Sequence, residues 1–357
     1  MKIVSVVGAR PQFVKLAPIA HACAARGGIE HVIVHTGQHY DQRMSEVFFD
    51  VLSIPAADID LEVGSGPHGA QTAAMLAGLE RVLDQQRPDW TLVYGDTNST
   101  IAGALAAVKL HLPVAHLEAG LRSFNRRMPE EHNRILTDHA ADLLLAPTEV
   151  AMGHLAAEGL AGRSVRVGDV MTDVCLATAA AVRGRPLALP DGVDPAAPYL
   201  VATIHRADNT DDPERLRGIV ASLAALPVPV VLAAHPRLVA RAAAFGIPLT
   251  GGALRATEPF GYPDMVAAVS RSAGVVTDSG GLQKEAYLLG VPCTTVRTET
   301  EWTETLADGW NVLDPELSQL PEVALRAAPA APRGHPYGTG DAAERTLDAL
   351  AAGVPAP

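Results

Sequence analysis

Short apolar runs alternate with longer Ala- and Leu-rich stretches along most of this chain. Runs dominated by Val, Ile and Leu at 3–7, 31–36, 90–94, 113–117 and 143–146 read as strands, and 11–26, 70–86 and 99–110 read as helices that separate them. Strands that are apolar throughout, rather than alternately, are buried on both faces, and intervening helices supply the cover. The pattern predicts parallel sheets in an α/β fold. It breaks at 176–198, where RGRPLALPDGVDPAAP is dense in Pro and Gly, and this stretch reads as an interdomain connection. Strands then resume at 199–203, 228–233, 274–277 and 292–296. The expectation is two doubly wound, Rossmann-like domains facing a cleft: an N-terminal one over 1–175 and a C-terminal one over 176–357, with the last helix a candidate to return to the first. The terminal GVPAP reads as a frayed end.

A length of 357 residues suits two domains. The chain is 48% hydrophobic and only 4% aromatic, so its cores must be built from Ala, Val, Leu and Ile. A net charge of -12 repels phosphate backbones and argues against a nucleic-acid partner. It leaves room for a small anionic substrate wherever cations converge locally. Cys23, Cys175 and Cys293 are far apart and form no CxxC pair, which argues against a zinc site or a disulfide framework and fits a reducing, cytoplasmic compartment. The first apolar run is too short for a signal segment, and no stretch approaches the roughly 20 apolar residues of a membrane helix.

The unusual polar clusters follow predicted strands, where ligands collect in this kind of fold. In VVGARPQFVK, Gly8 permits a tight turn, Pro11 suits the first turn of a helix, and Arg10 and Lys15 flank a helix N-terminus that attracts phosphate. The segment is not GxGxxG, so no dinucleotide cofactor is indicated. Gln38, His39 and Asp41 in TGQHYDQRM either line the cleft or cap the next helix. In YGDTNST, Asp96 either points into the cleft or shares with Thr97 the role of helix cap. HLEAGLRSFNRRMPEEHNR is the densest cluster: Glu118 ends a buried strand, where an unpaired carboxylate is costly, Glu130 and Glu131 open a helix, and Arg122, Arg126, Arg127 and Arg134 supply cations. His205 and Arg206 close a strand in TIHRADN, making His205 a candidate acid or base, and His235 repeats the arrangement in HPR. TDSGGLQKEA is the most specific signal. Ser279, Gly280 and Gly281 open a helix whose amides can approach phosphate oxygens, with Glu285 further along to reach ribose hydroxyls.

From GARPQFVKLAP to ETEWTETLADGWNVL, these motifs in this order resemble the non-hydrolysing UDP-N-acetylglucosamine 2-epimerases. The resemblance implies a glycosyltransferase-B-type fold, a homodimer, a UDP-sugar substrate and no metal or redox cofactor. It implies that Asp96, Glu118 and Glu130 are catalytic carboxylates with His205 beside them, although Ile204 stands where Gly is common. It places Arg10 and Lys15 near the diphosphate and sugar, and His235, Ser279, Gly280, Gly281 and Glu285 at UDP. Met265 aligns where an aromatic near the uracil is common. Gln38, His39, Arg122, Arg206 and Arg297 are candidate sugar or regulatory contacts. The implied reaction eliminates UDP to leave 2-acetamidoglucal and re-adds it with C2 protonated on the opposite face. UDP-N-acetylglucosamine is the first expectation for the substrate. RSFNRRMPEE and ETEWTET look closer to relatives acting on UDP-2,3-diacetamido-2,3-dideoxy-glucuronate, whose sugar carboxylate Arg122, Arg126 and Arg127 would be placed to meet. A UDP-sugar sensor without turnover is the alternative of another class.

Overall fold

A computed structural model describes residues 1–38 and 54–353, with Arg10 described in its backbone only, so His39 and Asp41 lie outside the described residues. The chain divides into two compact units, Met1–Val174 with His335–Pro357, and Cys175–Gly334.

The first unit runs β1 (Lys2–Val7), α1 (Arg10–Arg26), β2 (Glu30–His35), β3 (Ile59–Asp60), α2 (His68–Gln86), β4 (Trp90–Tyr94), α3 (Asn98–Lys109), β5 (Val114–Leu117), α4 (Pro129–Ala140), β6 (Leu143–Ala146), α5 (Glu149–Ala157) and β7 (Ser164–Arg166). Helix α6 (Val170–Ala181) then carries the chain into the second unit. The seven strands form a parallel sheet in the order β3-β2-β1-β4-β5-β6-β7. Ile3, Leu92 and Leu117 enter a core on one face, and Val4, Val93 and Val114 enter a core on the other. That two-sided burial is the physical reason the strands are apolar throughout.

The second unit contains β8 (Leu200–Thr203), α7 (Ala207–Thr210), α8 (Pro213–Ala224), β9 (Val230–Ala233), α9 (Pro236–Ala244), β10 (Leu254–Thr257), α10 (Tyr262–Arg271), β11 (Gly274–Thr277), α11 (Gly280–Leu289), β12 (Cys293–Thr295), β13 (Asn311–Leu313) and α12 (Leu320–Ala324). Its six parallel strands run β10-β9-β8-β11-β12-β13. Both sheets are therefore doubly wound. Each reverses direction once, at β1/β4 and at β8/β11, and the carboxyl ends of those strands frame the position where such sheets take ligands.

The strands expected at 90–94, 143–146 and 274–277 form with those bounds. Strands β3, β7, β10 and β13 were not anticipated: they are short and lie at or next to sheet edges, without a continuous apolar run. The stretch read as a connection from residue 176 begins as helix, because VMTDVCLATAAA holds no breaker before Ala181. No helix among the described residues is long and apolar enough to cross a membrane.

The last helix, α13 (Ala342–Ala352), packs on α1, and Trp90 donates its ring N–H to the Leu350 carbonyl at 2.9 Å. Asp173 accepts from the amides of Ala342 (3.1 Å) and Ala343 (2.8 Å), capping α13 from a distant part of the chain. Burial pushes the Asp173 carboxyl up from an ordinary 3.8 to about 6, against the pull of those two amides. A carboxyl whose folded value is raised binds its proton more tightly in the folded protein than in the unfolded chain. The stability it contributes is therefore complete below the unfolded value and is lost as pH rises through about 6. In urea titrations between about pH 4 and pH 6.5, the wild type should lose about 2 kcal/mol relative to Asp173→Asn. Parallel pH profiles for the two proteins would show that Asp173 does not titrate in this window.

Candidate active site

In the first unit the reversal at β1/β4 is stitched by Gln12, which is 1% exposed. Its Oε1 accepts from the amides of Gly8 (2.9 Å) and Ala9 (3.0 Å), and its Nε2 donates to the Tyr94 carbonyl at 2.9 Å. The turn after β1 and the turn after β4 are thereby fixed together. Gly8 has no room for a side chain, because a Cβ there would lie 1.9 Å from Thr36 Oγ1.

Lys15, one turn into α1, forms a nearly buried ion pair with Glu118, the residue just past β5. Burial works to lower the Lys15 pKa, but Glu118 and Asp96 outweigh it, and the ammonium is held above its ordinary value. Glu118 sits at φ 71, a left-handed conformation that costs a non-glycine residue on the order of 1–3 kcal/mol. Gly95 adopts φ 60 beneath the pair, where a Cβ would lie 3.0 Å from Lys15 Nζ and 3.2 Å from Glu118 Oε2. The next residue, Asp96, pairs with Arg134, which also binds Glu131 at 2.7 Å. Asp96 is not the cap of α3; Thr97 occupies that position. Lys15, Asp96 and Glu118 are thus brought together, with Arg134 as a fourth member that the motifs alone placed only as a local cation.

The two glutamates of PEE divide. Glu131 is 1% exposed and accepts from the Ser123 amide (2.9 Å), the Ser123 hydroxyl (2.8 Å) and the Phe124 amide (2.8 Å). Burial would raise its pKa, but those donors and Arg134 hold it below the ordinary carboxylate value. Glu130 is half-buried in the first turn of α4. Gln38 accepts at Oε1 from the Ser99 amide (3.1 Å) and hydroxyl (2.7 Å), which ties it to the start of α3.

Arg122 requires a correction. Its side chain is 1% exposed and is held by Asp138 (2.7 Å) and Glu158 (2.7 and 2.8 Å), so its guanidinium serves the protein interior and is not offered to a sugar carboxylate. The neighbouring Arg126 and Arg127 are exposed.

In the second unit Asp278, fully buried after β11, accepts from the amides of His205 (3.0 Å) and Arg206 (2.9 Å) and from Asn209 Nδ2 (3.0 Å). It shapes the turn that presents His205. The His205 ring lies 5.4 Å from the His235 ring. Burial lowers the His205 pKa, and although Asp278 opposes this, His235, Arg206 and Arg237 add to the lowering. A neutral ring at neutral pH is suited to accept a proton. His235 is the N-cap of α9 and accepts from the Arg237 amide at 3.1 Å.

Ser279 is the N-cap of α11, and its hydroxyl makes no capping hydrogen bond. Gly281 is exposed, with nothing but Ser279 Oγ near its missing Cβ, at 4.0 Å. Gly280 is constrained differently: a Cβ there would meet Glu301 Oε1 at 2.5 Å and Trp302 Nε1 at 3.0 Å. Glu301 in turn faces Arg297 (2.8 Å) and Arg206 (3.7 Å). These two arginines also line a cavity of about 350 Å³ together with Asn209 and Arg215. Glu285, on α11, is pushed up to about 7 by burial, against Lys284 and the Tyr262 hydroxyl. Met265 is half-buried against the apolar core beneath α10. Among the described residues, no group of three or more His, Cys, Asp or Glu side chains is arranged to hold a metal ion.

A family model described as UDP-N-acetylglucosamine 2-epimerase matches residues 21–351. The chain belongs to the UDP-N-acetylglucosamine 2-epimerase family. A relative from Pseudomonas aeruginosa, named UDP-2,3-diacetamido-2,3-dideoxy-D-glucuronate 2-epimerase, is 45% identical over 98% of this chain and 99% of its own length. The crystal structure of the Methanocaldococcus jannaschii UDP-N-acetylglucosamine 2-epimerase, in complex with UDP-N-acetylglucosamine and UDP, matches with a TM-score of 0.81 at 36% identity, over 99% of this chain and 100% of that one. A lipopolysaccharide outer core galactosyltransferase, 13% identical with a TM-score of 0.59 over 99% of each chain, shares the fold alone. The two units of this epimerase-family chain are accordingly the Rossmann-like domains of a glycosyltransferase-B-type fold.

The division within PEE can be measured. Glu131→Gln should lower the unfolding free energy in urea at neutral pH by about 2–3 kcal/mol, because charge-assisted hydrogen bonds to buried donors are lost. Glu130→Gln should change it by less than about 0.5 kcal/mol. The Glu131 contribution is present above its unfolded value of 4.5 and fades as pH falls through its depressed folded value. Equal effects of the two substitutions would remove the distinction.

Proposed function

We propose that this chain catalyses non-hydrolysing 2-epimerisation of a UDP-2,3-diacetamido-2,3-dideoxy-glucuronate substrate. The observation that carries this reading is the 45% identity, over nearly the full length of both chains, to the Pseudomonas aeruginosa enzyme of that name. Epimerisation of UDP-N-acetylglucosamine is the second reading, favoured by the 38% identity to the Methanocaldococcus jannaschii enzyme over 99% of this chain.

The side-chain arrangement supports the same chemistry for either sugar. The C2 hydrogen is not acidic, so its removal must be coupled to departure of UDP from C1, leaving a 2-acetamido glycal. Re-addition of UDP with protonation of C2 on the other face completes the inversion. Such a path needs proton transfer at both faces of C2 and stabilisation of a diphosphate leaving group. Asp96, Glu118 and Glu130 are assigned the proton transfers, with His205 as a further acceptor whose depressed pKa keeps it neutral. Lys15 is assigned to the developing negative charge. The α11 N-terminus, with Ser279 and the open position at Gly281, is assigned to the diphosphate, and Glu285 to the ribose.

Proton NMR in D2O, with each UDP-sugar separately, decides the reaction and the substrate. The expected result is the 2-epimer carrying deuterium at C2, without free sugar, formed faster from the diacetamido-glucuronate than from UDP-N-acetylglucosamine. The reverse preference would establish the second reading, and no turnover of either sugar would leave a binding protein. In the same assay Glu118→Gln should reduce kcat by at least about 100-fold while UDP affinity, measured by calorimetry, stays within about threefold. Ser279→Leu should act oppositely and weaken UDP binding itself by at least about tenfold, since a bulky side chain would cover the α11 amides. Unchanged UDP affinity in that variant would defeat the diphosphate assignment.

A further inference from the structure

Strand β5, which ends at Glu118, also carries a buried histidine that the chemistry above leaves unused. His116 has no exposed side-chain surface. Its Nδ1 lies 2.7 Å from Asp138 Oδ1, and its Nε2 lies 2.7 Å from the carbonyl oxygen of Gly95. A carbonyl oxygen has no proton to give, so Nε2 must be the donor there. Asp138 also receives the Gly120 amide at 3.1 Å and Arg122 at 2.7 Å. Burial would raise the Asp138 pKa, but His116 and Arg122 outweigh it and hold the group below the usual carboxylate value. Nδ1 and the Asp138 carboxyl therefore share one proton across 2.7 Å, and that hydrogen bond fixes the orientation of the ring. Turning the ring over would place carbon atoms 2.7 Å from both oxygens, which is too close for either.

The carboxylate that holds the ring is itself anchored. Arg122 is shared between Asp138 and Glu158, and Glu158 meets the half-exposed His139 at 3.1 Å. Asp138 is thereby fixed by Arg122 and the Gly120 amide as well as by the ring, so the ring's own position is fixed in turn. Across the Gly95 turn stand Lys15, Glu118, Asp96 and Arg134, each already paired.

We propose that His116, fixed between the Asp138 carboxylate and the Gly95 carbonyl, positions the Gly95–Asp96 turn against β5. Strand β5 takes both backbone polar groups of Gly95: its amide donates to the Leu117 carbonyl at 3.0 Å, and its carbonyl accepts from His116. The turn that bears Asp96 is thereby registered against the strand that bears Glu118. His116 does not touch the reacting atoms; it is a positioning residue. This role rests on the reading of Asp96 and Glu118 as reacting groups, whereas the donation from Nε2 to Gly95 does not.

Two measurements separate those parts. In the full-length protein labelled with 15N in histidine, ring spectra, with His116 assigned by comparison with His116→Asn, should show Nε2 carrying a hydrogen-bonded proton at about pH 7.5. A ring whose Nε2 carries no proton at about pH 7.5 would overturn the proposal. In the epimerase assay His116→Asn, which retains a donor toward Asp138 but is too short to reach Gly95, should lose about 100-fold in kcat while KM and UDP affinity stay within about threefold. Full kcat in a folded His116→Asn protein, or a KM effect without a kcat effect, would refute the positioning role. Failure of both His116→Asn and His116→Gln to fold would refute it too, by making the residue a folding requirement. A wild type inactive on every UDP-sugar would sink the functional reading and leave the ring spectrum to stand alone.

Discussion

Covering a parallel sheet on both faces makes unpaired ionised groups along its central strands costly, so the groups that face a ligand collect beyond the strand ends. Both sheets obey this constraint, and the sequence around each reversal of strand order shows its consequences. After β1, β4 and β5 the chain turns sharply through Gly8, Gly95 and Glu118, two of them at positive φ, before a helix or loop begins. After β8 and β11 it turns through His205 and Asp278. Every assigned functional carboxylate of the first unit stands on one of these turns or in the first turn of α4.

Such placement carries an electrostatic condition. Glu118 and Lys15 are nearly buried, and neither could remain charged there alone. Pairing solves the problem without making the pair a source of stability, since a buried ion pair is often no better than a well-packed apolar replacement. The strained backbone at Glu118 points the same way: a left-handed glutamate within a nearly buried ion pair is a cost to folding. Arrangements that cost stability, yet are held in place by Gln12, Gly95 and Arg134, are what a reacting site requires.

Most of the fold was legible in the sequence because burial on both faces writes continuous apolar runs, as in LLLA at 143–146 and GVVT at 274–277. The peripheral strands β3, β7, β10 and β13 were not legible, since a strand of two to four residues at a sheet margin needs no such run. At the site, polar residues following apolar runs marked Lys15, Asp96, Glu118, His205 and Ser279 for attention, but residue type alone could not tell which were paired. Arg122 read as a cation available to a substrate and is consumed by two carboxylates instead. Gly280 read as an opening for phosphate and lies against Glu301 and Trp302. His116 drew no notice because a lone histidine in an apolar strand looks like ordinary core. Its meaning depends on Asp138, 22 residues later, and on the carbonyl of Gly95. Pairings across such separations are decided by packing and leave no local signature.

The loss of Arg122 as a ligand shifts the question of substrate choice onto residues 123–128. That loop exposes Arg126 and Arg127 and places Phe124 at φ 57 with most of its side chain in solvent. Its first residues are pinned by Glu131, whose carboxylate takes the amides of Ser123 and Phe124. Arg134 then ties the same carboxylate to Asp96. A sugar group that engaged the exposed arginines would therefore bear on a loop joined, through one glutamate and one arginine, to an assigned reacting carboxylate. Under the function proposed above, sequence changes in RSFNRRM would bear on which sugar is accepted while Glu131 keeps the loop's attachment fixed.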